Sequence, residues 1–234
     1  MIKQHIPNLI TLLNLFLGCV AVIFAFSGRM EYVPYLVLGA AAADFADGLS
    51  ARLLRVSSPL GVQLDSLADM VTFGLVPGVM MFQLLQIAWG GDVSLTKTLP
   101  AFMLTLFSAL RLAKFNIDTR QTEGFLGLPT PANTVFITSL GLILHHDNYG
   151  LTSLLVSPWF LYLVTVVFSL LMVVELPLLS NKFKHFHWKG NEQRFILIGG
   201  ALLLIALLGY TGIALAVVWY LLFSAFVWLS SGRA

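Results

Sequence analysis

The feature that most constrains this chain is a series of eight apolar stretches, each close to the length of a membrane crossing, joined by short polar connectors. A helix needs about 20 mostly apolar residues to cross about 30 Å of hydrocarbon, and only helices or closed barrels satisfy backbone hydrogen bonds there. The stretches cover residues 8–26, 32–54, 59–88, 99–115, 131–144, 154–175, 195–208 and 213–229, the fifth and seventh being short. Hydrophobic residues make up 58% of the chain and charged ones 10%, against about 25% charged in a soluble domain, which excludes a water-soluble globule. A net charge of +2 without a dense basic patch argues against a nucleic-acid partner. The first stretch is longer than the apolar core of a secretory signal and is expected to be a retained span. A lone cysteine, Cys19, excludes an intrachain disulfide framework and is expected in the core.

Charge placement orients the expected bundle. With eight spans, Lys3, Arg52, Arg55, Arg111, Lys114, Arg120, Lys182, Lys184, Lys189, Arg194 and Arg233 fall on one side, and only Arg29 and Lys97 on the other. The basic side is cytoplasmic by the positive-inside rule, which puts both termini in the cytoplasm. The expected fold is an all-α polytopic membrane bundle of about eight transmembrane helices in a single membrane domain, with no internal repeat of the kind that marks many transporters.

Four carboxylates break the apolar pattern. Asp44 and Asp47 lie in the second stretch, and Asp65 and Asp69 in the third. Each costs about 2.5–3.5 kcal/mol at the bilayer centre unless water, cations or partners offset it. Separations of three and four residues place each pair on one helix face. The tight Arg55–Val56–Ser57–Ser58–Pro59 turn makes the two helices an antiparallel hairpin. All four can then converge in a cytoplasm-facing cleft roughly 10–20 Å below the turn at 1.5 Å per residue. Protons or divalent cations must neutralise that much like charge. Hard oxygen ligands without paired His or Cys favour Mg²⁺, Mn²⁺ or Ca²⁺, and two such ions commonly serve attack at phosphorus. A cation or proton pathway is the competing reading. Gly48, Ala51, Gly61 and the slim run from Gly39 to Ala43 allow close helix packing and leave space for a ligand, while Arg52 and Arg55 are placed to bind phosphate or to anchor the helix end.

Read together, Asp44, Asp47, Gly48, Ala51, Arg52, Gly61, Asp65 and Asp69 give D-x2-D-G-x2-A-R-x8-G-x3-D-x3-D, which matches the signature of the CDP-alcohol phosphatidyltransferase family at every specified position. The segments Pro7 to Thr11, Arg111 to Asn116 and Phe125 to Pro131 extend the likeness over roughly the first 135 residues and resemble the serine-using branch of that family. The resemblance implies transfer of a phosphatidyl group from CDP-diacylglycerol to an alcohol, releasing CMP. It implies that Asp44, Asp47, Asp65 and Asp69 bind the divalent metal, Mg²⁺ or Mn²⁺ and two ions, with Asp69 also taking the proton. It implies CDP-lipid contacts for Asn8, Thr11, Gly48, Arg52 and Ser58, although a helix cap with a neighbouring polar residue is an alternative for Asn8 and Thr11. It also implies a homodimer in the cell (inner) membrane, with the active site facing the cytoplasm. Residues 1–150 would be the catalytic helices and 151–234 additional ones.

With L-serine as acceptor, the site must hold a carboxylate and an ammonium. Arg111 and Lys114 are candidates for the carboxylate and Asn116 for a further hydrogen bond, the alternative being a basic anchor at the membrane surface. Glycerol 3-phosphate or an inositol phosphate would call for a larger basic cluster. An ion-coupled transporter using the four aspartates is the rival from another class. The Gly127, Pro129 and Pro131 loop suits a lid or wall. The pairs His145/His146 and His185/His187 lack further ligands and are not expected to bind metal. Lys182 to Lys189, with Phe183, Phe186 and Trp188, reads as an interfacial segment against anionic lipid. Glu175 reads as a helix-end charge, and Gly199 and Gly200 as packing residues.

Overall fold

The computed structural model describes residues 5–56, 58–91, 93–117, 125–179 and 187–230. Ser57 in the turn, Lys3, Arg120, Lys182, Lys184 and Arg233 of the charge count, and Phe183, His185 and Phe186 of the interfacial segment lie outside them.

Among the described residues, eight long helices correspond to the eight apolar stretches: α1 His5–Phe26, α2 Val33–Leu54, α3 Pro59–Ala88, α4 Leu95–Ile117, α5 Thr130–His146, α6 Pro158–Val173, α7 Glu192–Leu208 and α8 Tyr210–Ser230. The helices α1, α3, α4 and α8 are long and apolar enough to cross a membrane. Helix α2 matches α1 in its 22 residues but carries Asp44, Asp47 and Arg52 in its C-terminal half. This is an all-α membrane protein. One addition was not expected: a two-stranded antiparallel pair, β1 Phe125–Leu126 with β2 Pro177–Leu178.

The helices turn their small and polar residues inward. Helix α1 buries Pro7, Thr11, Asn14, Gly18, Ala21 and Ala25, a stripe of helical period, while Leu9, Phe16 and Ile23 face outward. Cys19, one position beyond Gly18, falls on the outward face and is exposed, contrary to the expectation of a core cysteine. An apolar run cannot distinguish interior from lipid face, since both are apolar. Gly18 marks a close crossing, because a side chain there would fall on Thr72 of α3.

Helix ends follow local chemistry. Ser58 caps α3 by accepting from Gly61 N–H at 3.0 Å, with Pro59 at the first helical position. Arg55 closes α2 in the left-handed conformation, φ 53°, and the Val56 N–H reaches Ala51 O at 3.0 Å. Thr130–His146 and Glu192–Leu208 have 17 residues each, longer than the expected spans: α5 takes in Thr130 at its start and His145 and His146 at its end, and α7 takes in Glu192, Gln193 and Arg194 at its start.

Helix α3 is irregular directly after Asp69. Residues Met70–Leu75 form a π turn. Pro77 lacks the N–H that would bond the Phe73 carbonyl four residues back, so that carbonyl accepts from Thr134 Oγ1 of α5 at 3.0 Å and Ser108 Oγ of α4 at 3.5 Å. Thr105 Oγ1 of α4 donates to Gly74 O at 3.0 Å. Neighbouring hydroxyls thus satisfy carbonyls that the apolar surroundings could not, and they pin α4 and α5 to the segment that follows the last aspartate.

Candidate active site

Helix α1 packs along both α2 and α3, and the three helices bound a cavity of about 350 Å³. Asp44, Asp47, Gly48 and Ala51 line it from α2, Gly61 and Asp65 from α3, Asn8 and Thr11 from α1, and Ser58 from the turn. Asp47 continues the buried stripe of Val33, Val37, Ala40 and Ala43, so its carboxylate points into the bundle.

Carboxylate oxygens of Asp44, Asp47 and Asp65 lie within 4.8 Å of one another. Opposed oxygens around a Mg²⁺ or Ca²⁺ ion are about 4–5 Å apart, so this all-oxygen donor set fits a hard divalent cation. Asp69, one turn beyond Asp65, joins the group, since Asp44 is within hydrogen-bonding reach of both Asp65 and Asp69. The structure therefore brings together all four carboxylates singled out by spacing.

Donors from α1 steady them. The Thr11 hydroxyl lies 2.5 Å from Asp47 Oδ2, and Asn14 Nδ2 donates to Asp69 Oδ1 at 3.3 Å. Asn14 is fully buried, and its Oδ1 accepts from Thr72 Oγ1 of α3 at 2.8 Å. Asn14 and Thr72 were not anticipated from sequence. The available signal was the spacing of Asn14, three residues after Thr11 on the polar stripe of α1. Asn8 and Thr11 lie inside α1, which is already helical at His5, so the capping alternative does not hold.

The remaining expected contacts divide. At Gly48 an added side-chain carbon would meet nothing within 4 Å, so the space beside its backbone opens to the cavity. At Gly61 it would come within 3.1 Å of Asn8 Oδ1 and Ser58 Oγ, so glycine there permits the approach of α1 to the turn. Arg52 is exposed outside the cavity lining, its Nε donating to Gly48 O at 3.0 Å.

On the α4 side, Arg111 is only 7% exposed, stands over the Phe115 ring, and has Asp69 within electrostatic reach. Its Nε has no hydrogen-bond partner among the described residues. Lys114 is exposed, and Asn116 Nδ2 donates to Ser66 Oγ at 2.9 Å, tying α4 to α3. Asn133, fully buried on α5, has neither amide atom partnered among the described residues, and sequence reasoning passed it over.

Gly127 has φ +77° and lies against backbone carbonyls of α6, while Pro129 and Pro131 line a separate apolar groove beside α8, consistent with a wall. His145 lies 4.0 Å from Glu31 and His146 stacks on Tyr210, and neither belongs to a possible metal cluster among the described residues. Gly200 packs under the Trp219 ring as expected, but a side chain at Gly199 would meet open space, so that glycine is not a packing residue.

Comparison with known proteins agrees with this site. A family model described as CDP-alcohol phosphatidyltransferase matches residues 4–171. A protein of Helicobacter pylori named CDP-diacylglycerol–serine O-phosphatidyltransferase is 30% identical over 227 residues, covering 95% of this chain and 90% of the relative. Proteins with the same name from Bacillus subtilis and Saccharomyces cerevisiae are 29% and 31% identical, covering 66% and 63% of this chain and 88% and 59% of their own lengths. With the family model spanning most of the chain and three aspartates of its signature, Asp44, Asp47 and Asp65, lining one cleft, the chain belongs to the CDP-alcohol phosphatidyltransferase family.

Proposed function

We propose that this enzyme transfers a phosphatidyl group from CDP-diacylglycerol to the hydroxyl of L-serine, giving phosphatidylserine and CMP. The observation that carries the reading is the gathering of Asp44, Asp47 and Asp65 oxygens within 4.8 Å beside the open backbone of Gly48, in a chain whose relatives bear the serine transferase name. All eight helices cross the cell (inner) membrane with both termini in the cytoplasm, and the cleft opens to that side. The enzyme is a homodimer in which residues 1–150 carry the reaction and 151–234 add further helices to the same membrane domain.

Asp44, Asp47, Asp65 and Asp69 hold two divalent cations, Mg²⁺ or Mn²⁺. When bound, these stabilise charge on the pyrophosphate and on the departing CMP. Asn8, Thr11, Gly48 and Ser58 receive the CDP group in the cavity, where glycine lets the nucleotide approach the backbone. Arg52 pairs with a phosphate oxygen after leaving its contact on Gly48 O. Arg111 takes the serine carboxylate, with Lys114 and Asn116 at the rim. As the serine oxygen bonds to phosphorus, the bond from phosphorus to the CMP oxygen breaks and the hydroxyl proton passes to Asp69, whose orientation Asn14 fixes.

The test is CMP release by the purified protein in detergent with CDP-diacylglycerol, comparing L-serine, glycerol 3-phosphate, inositol phosphate and no acceptor, with and without divalent metal. Release that requires both metal and serine is the expected result. Release with another acceptor overturns the reading of Arg111, and absence of release under every condition overturns the reaction.

A further inference from the structure

Helix α3 changes its winding directly after the last aspartate. Across Met70–Leu75 the backbone bonds step from four residues to five, as where Val76 N–H donates to Val71 O. One extra residue in a turn rotates everything beyond it by about 100° relative to a regular helix. In α3 that offset serves two sets of neighbours. Before it, Asp65 lines the cavity and Asp69 Oδ1 accepts from Asn14 of α1. After it, the Phe73 and Gly74 carbonyls meet hydroxyls of α4 and α5. Thr72, inside the turn, donates to Asn14 O at 3.2 Å and Asn14 Oδ1 at 2.8 Å, so Asn14 spans the start of the irregular segment.

A π turn is less favourable than the regular helix it interrupts and persists where its surroundings hold it. Pro77 frees the Phe73 carbonyl but does not by itself select a turn that begins seven residues earlier, at Met70. The hydroxyls supply the hold. Thr134 and Ser108 are fully buried, and both reach Phe73 O, at 3.0 and 3.5 Å. Thr134 Oγ1 also lies 2.9 Å from Thr130 O, one turn back in its own helix. Helix α5 therefore does not depend on the bond to Phe73, whereas without it the Phe73 carbonyl keeps only the longer contact from Ser108. Phe73, Val76, Val79 and Met80 are packed in the core, so slack in the turn falls on the Asp69 side.

We propose that Thr134, with Ser108 beside it, is a positioning residue for Asp69: by holding the Phe73 carbonyl, the α5 hydroxyl keeps the π turn in place and so sets the direction of Asp69 relative to Asp44 and Asp65. This rests on the reading of Asp69 as cation ligand and proton acceptor. It gives α4 and α5 a share in the acidic cleft, whose cavity they do not line.

The experiment compares Thr134→Val, Thr134→Ser, Ser108→Ala, Asp69→Asn and the Thr134→Val/Asp69→Asn pair as full chains in detergent. It measures Mn²⁺ affinity by calorimetry without substrates, and CMP release against L-serine. Thr134→Val keeps the shape and loses the donor, so Mn²⁺ affinity and kcat are each expected to fall about tenfold, with the serine KM within about twofold. Thr134→Ser restores the hydroxyl and stays within about twofold of the parent in both. Ser108→Ala removes the longer contact, weakens Mn²⁺ about threefold and carries the test if Thr134→Val does not fold. In the Asp69→Asn background Thr134→Val adds no further loss. Unchanged Mn²⁺ affinity in Thr134→Val, an equal loss in Thr134→Ser, or the same effect with and without Asp69 overturns the proposal in favour of a purely structural bond. If Asp69→Asn itself leaves Mn²⁺ affinity and kcat unchanged, the reading of Asp69 fails, and the proposal with it.

Discussion

The cleft formed by α1, α2 and α3 and the flank formed by α4, α5, α6 and α8 solve opposite problems. In the cleft, negative charge is in excess and the donors are already committed, Thr11 to Asp47 and Asn14 to Asp69. On the flank, polar atoms are buried without partners among the described residues: Arg111 Nε, the Asn133 amide and the Ser169 hydroxyl. The cleft offers the all-oxygen donor set that suits a hard cation. The flank keeps spare hydrogen-bonding capacity behind a mostly apolar wall, which suits a small polar acceptor. Asp69 belongs to both, lying in the acidic group and within reach of Arg111.

Breaking that junction should have the largest effect. On the proposed mechanism Asp69→Asn keeps the shape but loses both a cation ligand and the proton acceptor, so kcat for CMP release is expected to fall by at least about 10³-fold. Membrane insertion and CDP-diacylglycerol binding should persist. Retention of a tenth of wild-type turnover would remove Asp69 as the base.

Next to the aspartates, Asn14→Leu keeps the branched shape but removes the donor to Asp69 and the Oδ1 acceptor of Thr72. A group that orients a functional carboxylate is worth about 10–100-fold, so kcat should drop by that amount while the serine KM changes little. Equal losses in the KM for serine would place Asn14 on the acceptor side and blur the distinction between the two regions.

Two glycines sharpen it from the other direction. Gly48→Ala adds a methyl group that meets no protein atom within 4 Å, so the fold should tolerate it while the CDP-diacylglycerol KM rises about tenfold. Gly127→Ala has the opposite signature: with φ +77° and a new carbon 2.8 Å from the Met172 and Val174 carbonyls, it should cost about 1–3 kcal/mol of stability in thermal or denaturant unfolding. A stable Gly127→Ala protein would show that the fastening of the loop onto α6 is not rigid.

The two regions also differed in how legible they were. Asp44, Asp47, Asp65 and Asp69 sit on neighbouring helices, so spacing alone predicts their convergence, and the expense of carboxylates in apolar spans marks them. Nothing local announces that Tyr220 meets Leu179 or that Thr134 caps the Phe73 carbonyl, because these contacts join distant segments. Pro77 does carry a local signal, an unbonded carbonyl four residues upstream, but only the fold shows that Thr134 and Ser108 answer it. Cys19 and Asn14 share a simpler lesson. In lipid, apolar character does not mark the interior, while small and polar residues at helical spacing do, so Asn14 lies inside and Cys19 outside.

The smallest expected effect lies in the α7 and α8 pair, where adjacent glycines should part company. Gly200 faces the Trp219 ring, with a side-chain carbon there only 2.7 Å from Trp219 Cε2, and the indole is itself fixed by its N–H on Leu197 O at 3.1 Å. Alanine at that position must push the helices apart, at about 1–3 kcal/mol. Gly199 faces open space, so alanine there meets nothing and only gains helix propensity, at most about 1 kcal/mol. Thermal unfolding in detergent should place Gly199→Ala at or slightly above the parent and Gly200→Ala below it. If both alanines lower stability alike, α7 is held by contacts on its Gly199 face as well. In that case the α7–α8 hairpin would be held by more than its close approaches at Gly200 and Gly212.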